Sequence, residues 1–409
     1  MKRPRILFAS PRLPFPLNSG AKIRINHLLR ALSEIGDVDL VCHGVPWEFQ
    51  FIEEQSETLP GWWNNLHSAL ILPFPDWPVA DMRYYRHLAM CRPFARKDHF
   101  YDSFPTETLL ARTIHMASQA NLIWTERLHV ARAFLHHGHK TVVDLDDLES
   151  AKISREAEAG GPGYGRYALK REARRLAFTE RQAVHQFAGV AVCSPEDTHH
   201  FGKQAERAWV LPNGVDDALM ELPAVAREKN HLVFVGTMNY WPNEQAMLYF
   251  HREILPRIRA RIPDVVLSIV GLKPPSSIRD LHDGKHVFVH ADVPEVAPYV
   301  QRATLSIVPL RVGGGTRLKI LESLALGTPV VSTTVGAEGL DLKHGEHLLL
   351  ADRSEDFADS VIQLLSDEAL SQRLADQGLE RVRQLYLWSA IRKQIQDRCE
   401  SLLASSAPR

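Results

Sequence analysis

The stretch TLSIVPLRVGGGTRLKILESLALGTPVVST, residues 304–333, decides the fold of this chain. It reads as a buried strand, a glycine triplet, a helix and a second apolar strand. Open α/β sheets bind ligands at the carboxyl ends of their strands, which is where the glycine loop lies. The order of these elements therefore predicts a parallel sheet with a ligand site at one edge.

The glycine triplet and the helix after it have the composition of an anion site. Consecutive glycines let backbone N–H groups turn toward an anion, and the helix N-terminus adds the positive end of its dipole. Arg317 and Lys319 follow within a turn, and Glu322 lies two turns in, where a carboxylate accepts two hydroxyls. This order suits a diphosphate followed by a ribose. A flexible turn with solvated charges is the alternative for an isolated loop of this kind.

Composition narrows the class of protein. The 409 residues are 45% hydrophobic and 24% charged, which predicts a globular chain with two domains. The formal net charge of −1 gives no overall field that favours nucleic acid. Four scattered cysteines without a CxxC pair fit a reducing compartment and argue against structural zinc. The first apolar run is too short for a signal peptide or a membrane span, so we expect a cytoplasmic protein.

Short apolar runs alternate with amphipathic helical stretches along the whole chain. Such alternation predicts two α/β, doubly wound, Rossmann-like domains with parallel sheets. We predict the first domain over residues 1–215 and the second over residues 216–387. Residues 388–409 are expected to form a C-terminal helix that returns to the first domain. The cleft between the two domains is the expected ligand site.

One region does not follow the alternating pattern. The stretch from Trp47 to Tyr101 holds four of the eight tryptophans, and we predict it to be irregular. Sugars and lipids lie against aromatic faces, so this stretch is a candidate acceptor platform. Aromatic side chains are also common in cores, which is the alternative.

Five stretches together resemble the retaining family 4 glycosyltransferases (glycosyl transferases group 1). They are SGAKIR (19–24), LPNGVD (211–216), VFVGTMNYWPNEQA (233–246), LSIVG (267–271) and the stretch from Gly313 to Thr333. The resemblance covers nearly the whole chain and implies the GT-B fold, in which two Rossmann-like domains face each other across a cleft. It also implies a hexosyltransferase-like enzyme that uses a UDP- or GDP-linked sugar as donor and retains the anomeric configuration.

The resemblance implies a donor site with two departures from the family pattern. The first glutamate of the family motif falls on Gly314, so backbone N–H groups of Gly313, Gly314, Gly315 and Thr316 are expected to take over its contact. Where many members have an arginine and a later lysine, this chain reads Gly236, Thr237, Met238, Asn239. A helix N-terminus that packs locally is the alternative for that segment. The predicted donor-binding residues are Gly20, Gly236, Thr237, Asn239, Gly313, Gly314, Gly315, Thr316 and Glu322.

The predicted catalytic residues are Asp146, Asp147, Arg317 and Lys319. Arg317 and Lys319 are expected to neutralise the departing diphosphate. Family members often place a polar group after the strand that matches residues 141–147, so Asp146 or Asp147 would orient or deprotonate the acceptor. Capping of the helix from about Glu149 is the alternative for these aspartates.

The expected partners are the nucleotide-sugar donor and a lipid-linked or polysaccharide acceptor, without a cofactor or a metal. The metal is dispensable because Arg317 and Lys319 neutralise the phosphates. The arginine-rich helix over residues 164–182 either rests on anionic lipid headgroups or is solvated. Since Gly314 replaces a family glutamate, a noncatalytic nucleotide-sugar-binding partner is an alternative function, and a GT-B nucleotide-sugar epimerase is another.

Overall fold

The computed structural model describes residues 3–17, 19–44, 46–55, 59–73, 106–159, 164–223, 225–312 and 317–405. The chain divides into two compact units. The first unit is Met1–Pro212 together with Ile391–Arg409, and the second is Asn213–Ala390. The boundaries predicted from the sequence follow residues 215 and 387.

The first unit is built on a seven-stranded parallel sheet in the order β3-β2-β1-β4-β5-β6-β7. Its strands are β1 (Arg5–Ser10), β2 (Asp37–Gly44), β3 (Ser68–Pro73), β4 (Leu122–Glu126), β5 (Thr141–Asp146), β6 (Gly189–Val192) and β7 (Ala208–Val210). The strand β3 lies in the stretch that we predicted to be irregular, so that prediction is wrong there. Apolar residues of β1, β4 and β5 are almost fully buried, as a sheet covered on both faces requires.

Helices connect the strands of the first unit. They are Gly20–Ile35, Pro46–Glu54, Gly61–Asn64, Thr106–Gln119, Leu128–Ala131, Glu149–Ala159, Tyr164–Gln186 and Pro195–Thr198, with 3-10 segments at Arg132–Lys140 and His199–Arg207. The first helix begins at the cap residue Ser19, whose hydroxyl accepts a hydrogen bond from the Lys22 backbone N–H. It ends before Gly36, where a Cβ would lie 2.6 Å from the Pro4 carbonyl oxygen.

The helix Trp388–Ser405 carries the chain from the second unit into the first. Within the first unit, Arg392 and His27 lie 3.0 Å apart through Nη1 and Nδ1, and Gln396 donates to the Ala31 carbonyl. Ile391, Ile395 and Cys399 repeat at helical spacing and are fully buried. The buried side of this helix is therefore part of the core of the first unit.

The second unit is built on a six-stranded parallel sheet in the order β10-β9-β8-β11-β12-β13. Its strands are β8 (His231–Val235), β9 (Val266–Gly271), β10 (Val287–Ala291), β11 (Leu305–Val308), β12 (Val330–Ser332) and β13 (Leu349–Leu350). The order reverses between β8 and β11, and ligands of open α/β sheets bind at such a switch point.

The helices of the second unit cover both faces of this sheet. They are Trp241–Tyr249, Leu255–Arg261, Ser276–Arg279, Ala297–Arg302, Leu318–Ala325, Ser354–Ser366 and Glu368–Leu385, with a π segment at Phe250–Ile254 and 3-10 segments at Asp217–Glu221 and Val335–Ala337. Among the residues that the structure describes, none of the helices combines the length and the apolar composition that crossing a bilayer requires.

The tryptophans of the candidate acceptor platform have different environments. Trp62 is only 8% exposed and stacks on Phe15 with ring centroids 5.7 Å apart, so it belongs to the core. Trp47 is 53% exposed, and the Lys22 ammonium lies 5.4 Å from its ring centroid. Trp77 lies outside the described residues.

Candidate functional site

Two elements of the second unit meet at the switch point of its sheet. One is the loop that follows β8 and leads into the helix Trp241–Tyr249, and the other is the helix Leu318–Ala325, which comes after β11 in the chain. Lys319, the second residue of its helix, reaches across to the loop after β8. Its Nζ donates to Asn243 Oδ1 at 2.7 Å and lies 4.5 Å from the centroid of the Phe234 ring. The ammonium is thus held by a neutral oxygen and an aromatic face.

Gly236 makes room for this ammonium. A Cβ at this position would lie 2.7 Å from Asn243 Nδ2 and 3.1 Å from Lys319 Nζ. The predicted donor residues Thr237 and Asn239 follow and are exposed, while Met238 between them is buried. The backbone of this turn is tied down because Asn243 Nδ2 donates to the Thr237 carbonyl at 2.9 Å. The turn therefore presents a fixed backbone beside a cation.

The charge on Lys319 is poorly compensated. Burial, together with the nearby Arg317 guanidinium, lowers the pKa of Lys319 to about 7, although Glu322 acts in the opposite direction. Among the described residues Lys319 forms no ion pair with a carboxylate. An anion placed beside this ammonium would raise the pKa of Lys319, so the electrostatic interaction favours phosphate binding at this site.

Glu322 lies three residues after Lys319, on the same face of the helix. Its carboxylate forms no hydrogen bond and no ion pair within the described part of the chain. Burial raises its pKa, and Lys319 partly offsets that effect. A carboxylate in this position has lone pairs for two hydroxyl donors, which fits the predicted contact to a ribose.

Arg317 immediately precedes the helix and is 6% exposed. Its Nη2 donates to the Val335 carbonyl at 3.1 Å and lies 4.0 Å from Glu338 Oε2. It therefore contributes positive potential to the site while it is anchored to its own unit. The predicted donor residues Gly313, Gly314, Gly315 and Thr316 lie outside the described residues.

The carboxyl edge of the first sheet carries a buried ion pair. Arg24, on the helix after β1, makes a bidentate contact with Asp144 of β5 at 2.7 and 2.8 Å. Arg24 Nη1 also donates to the Leu211 carbonyl at 3.0 Å. Arg24 is 1% exposed, so its guanidinium belongs to the interior of the first unit. Its partner lies 120 residues away and could not be read from local periodicity.

Asp146, a predicted catalytic residue, is bound on both carboxylate oxygens. Arg127 Nη2 donates to its Oδ2 at 2.8 Å, and the Cys193 thiol donates to its Oδ1 at 2.8 Å. A register shift in β5 brings Asp146 to this position, with a φ of 56° that asparagine and aspartate tolerate best after glycine. These contacts fix Asp146 as a structural anion. Sequence reasoning missed Arg127, although its place directly after β4 was a signal.

Asp147 differs from its neighbour. Its carboxylate forms no hydrogen bond and no ion pair with the described residues. Burial, together with the Asp146 charge, raises the pKa of Asp147 to about 7, although Arg127 opposes the shift. A carboxylate that titrates near neutrality is suited to take a proton from a hydroxyl. Of the two predicted aspartates, Asp147 is thus the candidate base.

The potential ligand atoms of Asp146, Asp147 and Cys193 all lie within 4.8 Å of one another. Arg127 contacts Asp146 directly, and Arg24 Nε lies 3.8 Å from it. Two guanidinium groups next to the carboxylates would repel a divalent cation. The group therefore does not fit a metal centre.

The structure gathers the predicted residues into two separate sets. Gly236, Lys319 and Glu322 lie together in the second unit, with Arg317 beside them. Asp146 and Asp147 lie in the first unit, where Gly20 is the exposed first residue of the helix Gly20–Ile35. Asn243, which was not among the predicted site residues, lies with Gly236 and Lys319 in the second unit.

The second unit is a parallel α/β domain with a cation at the switch point of its sheet, a geometry that suits an anionic ligand, and a family model matches this unit. The model for glycosyl transferases group 1 matches residues 229–367. This match lies wholly within the second unit. The chain therefore contains a glycosyl transferases group 1 domain, and the predicted resemblance is confirmed.

Characterised relatives support the same class. The chain is 29% identical over 207 residues to a phosphatidyl-myo-inositol mannosyltransferase of Mycobacterium leprae, covering 48% of this chain and 54% of the relative. It is 27% identical over 250 residues to a D-inositol 3-phosphate glycosyltransferase of Corynebacterium efficiens, covering 55% of this chain and 58% of the relative. The chain spans about half the length of the curated relatives it matches.

Solved structures show the fold of the whole chain. Sucrose-phosphate synthase from Thermosynechococcus elongatus aligns with a TM-score of 0.66 at 17% identity, over 99% of this chain and 100% of that chain. Anabaena HepE in complex with UDP aligns with a TM-score of 0.64 at 15% identity, over 98% of this chain and 100% of that chain. With the two parallel sheets, these likenesses confirm the predicted GT-B fold class. Membership of family 4 stays a prediction.

Proposed function

We propose that this protein is a retaining family 4 glycosyltransferase that moves a hexose from a UDP- or GDP-linked donor to a lipid-linked or polysaccharide acceptor. One observation carries this proposal: the Lys319 ammonium crosses the switch point to the Gly236 turn and forms no ion pair with a carboxylate of the described residues. A diphosphate supplies the missing negative charge, and Glu322 on the same helix face supplies the ribose contact. The names of the relatives agree with sugar transfer.

The proposed reaction breaks the bond between the anomeric carbon and the diphosphate oxygen. The acceptor oxygen forms its new bond on the same face, and its proton passes to the Asp147 carboxylate. Negative charge that develops on the leaving diphosphate is stabilised by Lys319 and Arg317. Asp146 accepts hydrogen bonds from Arg127 and Cys193 and holds the end of β5 in place.

The reaction in this proposal is independent of a metal and of a cofactor. Lysine and arginine side chains neutralise the diphosphate directly, which is the role that a divalent cation otherwise has in phosphate sites. The cytoplasm is the proposed compartment. Cys42, Cys193 and Cys399 are buried and form no disulfide among the described residues, which supports a reducing environment.

We further propose that the first unit contacts an anionic membrane through the helix Tyr164–Gln186. Aromatic and basic side chains share one stripe of this helix at spacings of three and four residues, and they line a cavity: Tyr167, Lys170, Arg171, Arg174, Arg175 and Phe178. Tyr167 is 66% exposed and Phe178 is 64% exposed. Exposed rings beside basic groups suit the interface of a bilayer with anionic headgroups.

Cosedimentation with lipid vesicles tests the membrane contact. We expect binding to vesicles that contain anionic phospholipid, weaker binding at high salt, and loss of binding in the Tyr167→Ser/Phe178→Ser double variant. The matched control changes Leu135 to Ser, since that side chain is 44% exposed in the same unit. Equal binding to neutral and anionic vesicles would contradict the electrostatic contact.

A transfer assay tests the proposed function. The purified protein is incubated with UDP- and GDP-linked hexoses and a fractionated lipid and polysaccharide extract, and NMR reports the anomeric configuration of the product. We expect transfer with retention in the presence of EDTA. Nucleotide binding without turnover on every acceptor fraction would favour the noncatalytic binding partner. A donor sugar converted without any acceptor would favour the epimerase.

A further inference from the structure

The amide of Asn243 lies between the two segments that form the candidate donor site. It is the third residue of the helix Trp241–Tyr249 and is 6% exposed. Its Nδ2 donates to the Thr237 carbonyl at 2.9 Å, and its Oδ1 accepts from Lys319 Nζ at 2.7 Å. Because the Thr237 carbonyl can only accept, the amide oxygen has to face the ammonium.

The contact on Lys319 is directional but leaves its charge in place. A lysine ammonium has three N–H donors, and the amide oxygen uses one of them. The Phe234 ring, 4.5 Å away, adds a cation–π contact without cancelling the charge. A carboxylate in place of the amide would hold the ammonium equally well but would neutralise it. The neutral side chain at position 243 is thus the choice that orients a cation and keeps it available.

The side-chain ends of Asn243 and Lys319 also lie close together above Gly236. A Cβ at Gly236 would approach both Asn243 Nδ2 and Lys319 Nζ, at 2.7 and 3.1 Å. Since Asn243 Oδ1 lies 2.7 Å from Lys319 Nζ, a lysine side chain at position 243 is long enough to reach the volume that the Lys319 ammonium occupies. The position of the cation matters for a diphosphate, whereas the segment that supplies the cation does not.

We propose that Asn243 is a positioning residue that aims the Lys319 ammonium over the Gly236 turn, and that positions 243 and 319 form an exchangeable pair with one cation and one neutral partner. This proposal rests on the proposed function, because the ammonium is aimed at the diphosphate of the donor. It assigns Asn243 a role at the donor site without direct contact to the reacting atoms.

Calorimetric titration with UDP and GDP tests the pair in the full-length protein. We expect Lys319→Gln to weaken binding of the preferred nucleotide by roughly tenfold to hundredfold, because a charge-assisted contact is lost. Asn243→Ala should weaken it by about threefold to tenfold, as expected for the loss of one neutral contact. Asn243→Asp, which is nearly isosteric, should weaken binding more than Asn243→Ala, because its charge cancels that of Lys319.

The decisive variant exchanges the two side chains. Asn243→Lys/Lys319→Gln should bind the nucleotide within about threefold of the wild type, since one cation and one amide are again present. The matched control is Lys343→Gln, which removes a surface cation that is 66% exposed, and it should change affinity by less than about twofold. Circular dichroism and thermal unfolding report whether each variant is folded.

A second readout separates positioning from a merely structural role. The charged groups that face Lys319 are Arg317 and Glu322. Because the pKa of Lys319 is about 7, nucleotide affinity of the wild type should fall between pH 7 and pH 9. In Asn243→Asp a third, negative group faces the ammonium and keeps it protonated, so this fall should disappear. Loss of folding stability alone would leave that pH profile unchanged.

The possible failures are distinguishable. If the wild type binds neither UDP nor GDP, the proposed function fails and this inference fails with it. If the wild type binds but folded Asn243→Ala and Asn243→Asp bind as tightly as the wild type, only the positioning role is overturned. If Lys319→Gln is weak and the exchanged variant is equally weak, the pair is not exchangeable.

Discussion

The charges at the carboxyl edges of the two sheets are compensated to different extents. In the first unit, Arg24 is bound to Asp144 and Arg127 is bound to Asp146, with every contact between 2.7 and 2.8 Å. Desolvation of these four groups is offset by their mutual attraction and by hydrogen bonds. The charges at this edge neutralise one another in pairs, and their contacts hold strand ends and loops together.

In the second unit, the charges at the edge do not cancel each other. The Lys319 ammonium is held by an amide oxygen and an aromatic ring, and the Glu322 carboxylate has no hydrogen-bonding partner among the described residues. Burial lowers the pKa of Lys319 and raises the pKa of Glu322, so it favours the neutral form of both groups. Such an edge is less stable alone than with an anionic ligand. This difference supports the proposal that the charges of the first edge maintain the fold and that those of the second edge bind a substrate.

Removal of a charge from the first edge should have the largest effect on stability. Arg24→Met leaves the Asp144 carboxylate buried without its cation, and this should cost about 3–5 kcal/mol of unfolding free energy. Denaturant unfolding of the first unit, followed by tryptophan fluorescence, measures it. Arg30→Met on the same helix is the control, because Arg30 is half exposed in a surface pair and should change stability by about 0.5 kcal/mol or less. Equal effects of the two variants would show that the Arg24 pair is not structural.

Asp147 is the exception at the first edge, and its removal should affect rate instead of stability. Asp147→Asn should lower kcat by about a hundredfold or more, which is the usual contribution of a general base. In the wild type kcat should rise with pH through about 7, as Asp147 loses its proton. That rise should be absent in the variant.

The control for this rate effect is Glu196→Gln, at an exposed carboxylate of the same unit. Nucleotide affinity should be unchanged in both variants. An Asp147→Asn enzyme with the wild-type kcat and the wild-type pH profile would assign the proton transfer to another group.

The Glu322→Ala variant tests the second edge from its acidic side. Loss of two hydroxyl contacts should weaken nucleotide binding by about tenfold, with the transfer rate reduced only through occupancy. Calorimetry with the nucleotide and its 2′,3′-dideoxy form measures the contact, because the dideoxy ligand should not distinguish the variant from the wild type. Glu380→Ala serves as the control at an exposed carboxylate. Identical losses for both ligands would exclude a ribose contact.

The smallest expected effect is proton uptake on binding. In the free protein the pKa of Lys319 is about 7, and a bound diphosphate raises it. Above pH 7 the nucleotide therefore binds together with a proton, so affinity should fall as pH rises, by less than tenfold per pH unit. Calorimetry in two buffers of different ionisation enthalpy counts the proton. A Lys319→Gln protein that takes up as much proton as the wild type would place the uptake elsewhere.

Local sequence pattern was sufficient for most of the fold. Apolar runs separated by amphipathic helices predicted twelve of the thirteen strands that the structure describes, in their order, because parallel strands buried on both faces leave such runs. The strand β3 was missed since its residues SALILP lie between aromatic and polar segments without a clear alternation. The glycine loop and the helix at Leu318–Ala325 were predicted because a turn from a strand to a helix is marked by neighbouring residues, here a glycine triplet between an apolar run and an amphipathic segment.

The partners of the site residues could not be predicted in the same way. Asn243 and Lys319 lie 76 positions apart, and they meet only because β8 and β11 are neighbours in the sheet. The pairing of Arg127 with Asp146 depends in the same way on the neighbouring strands β4 and β5. The sequence predicted that Lys319 neutralises phosphate, because the lysine that many family members have is missing from this chain. Only the structure shows that the Asn243 amide and the Phe234 ring hold Lys319 in place.

The most direct test of the contrast between the two edges is a calorimetric titration of the wild type with UDP and with GDP, each with and without EDTA. Tight binding of one nucleotide that is insensitive to EDTA is the predicted result, because protein cations at the second edge neutralise the diphosphate. Binding that disappears with EDTA, or no binding of either nucleotide, would contradict the account.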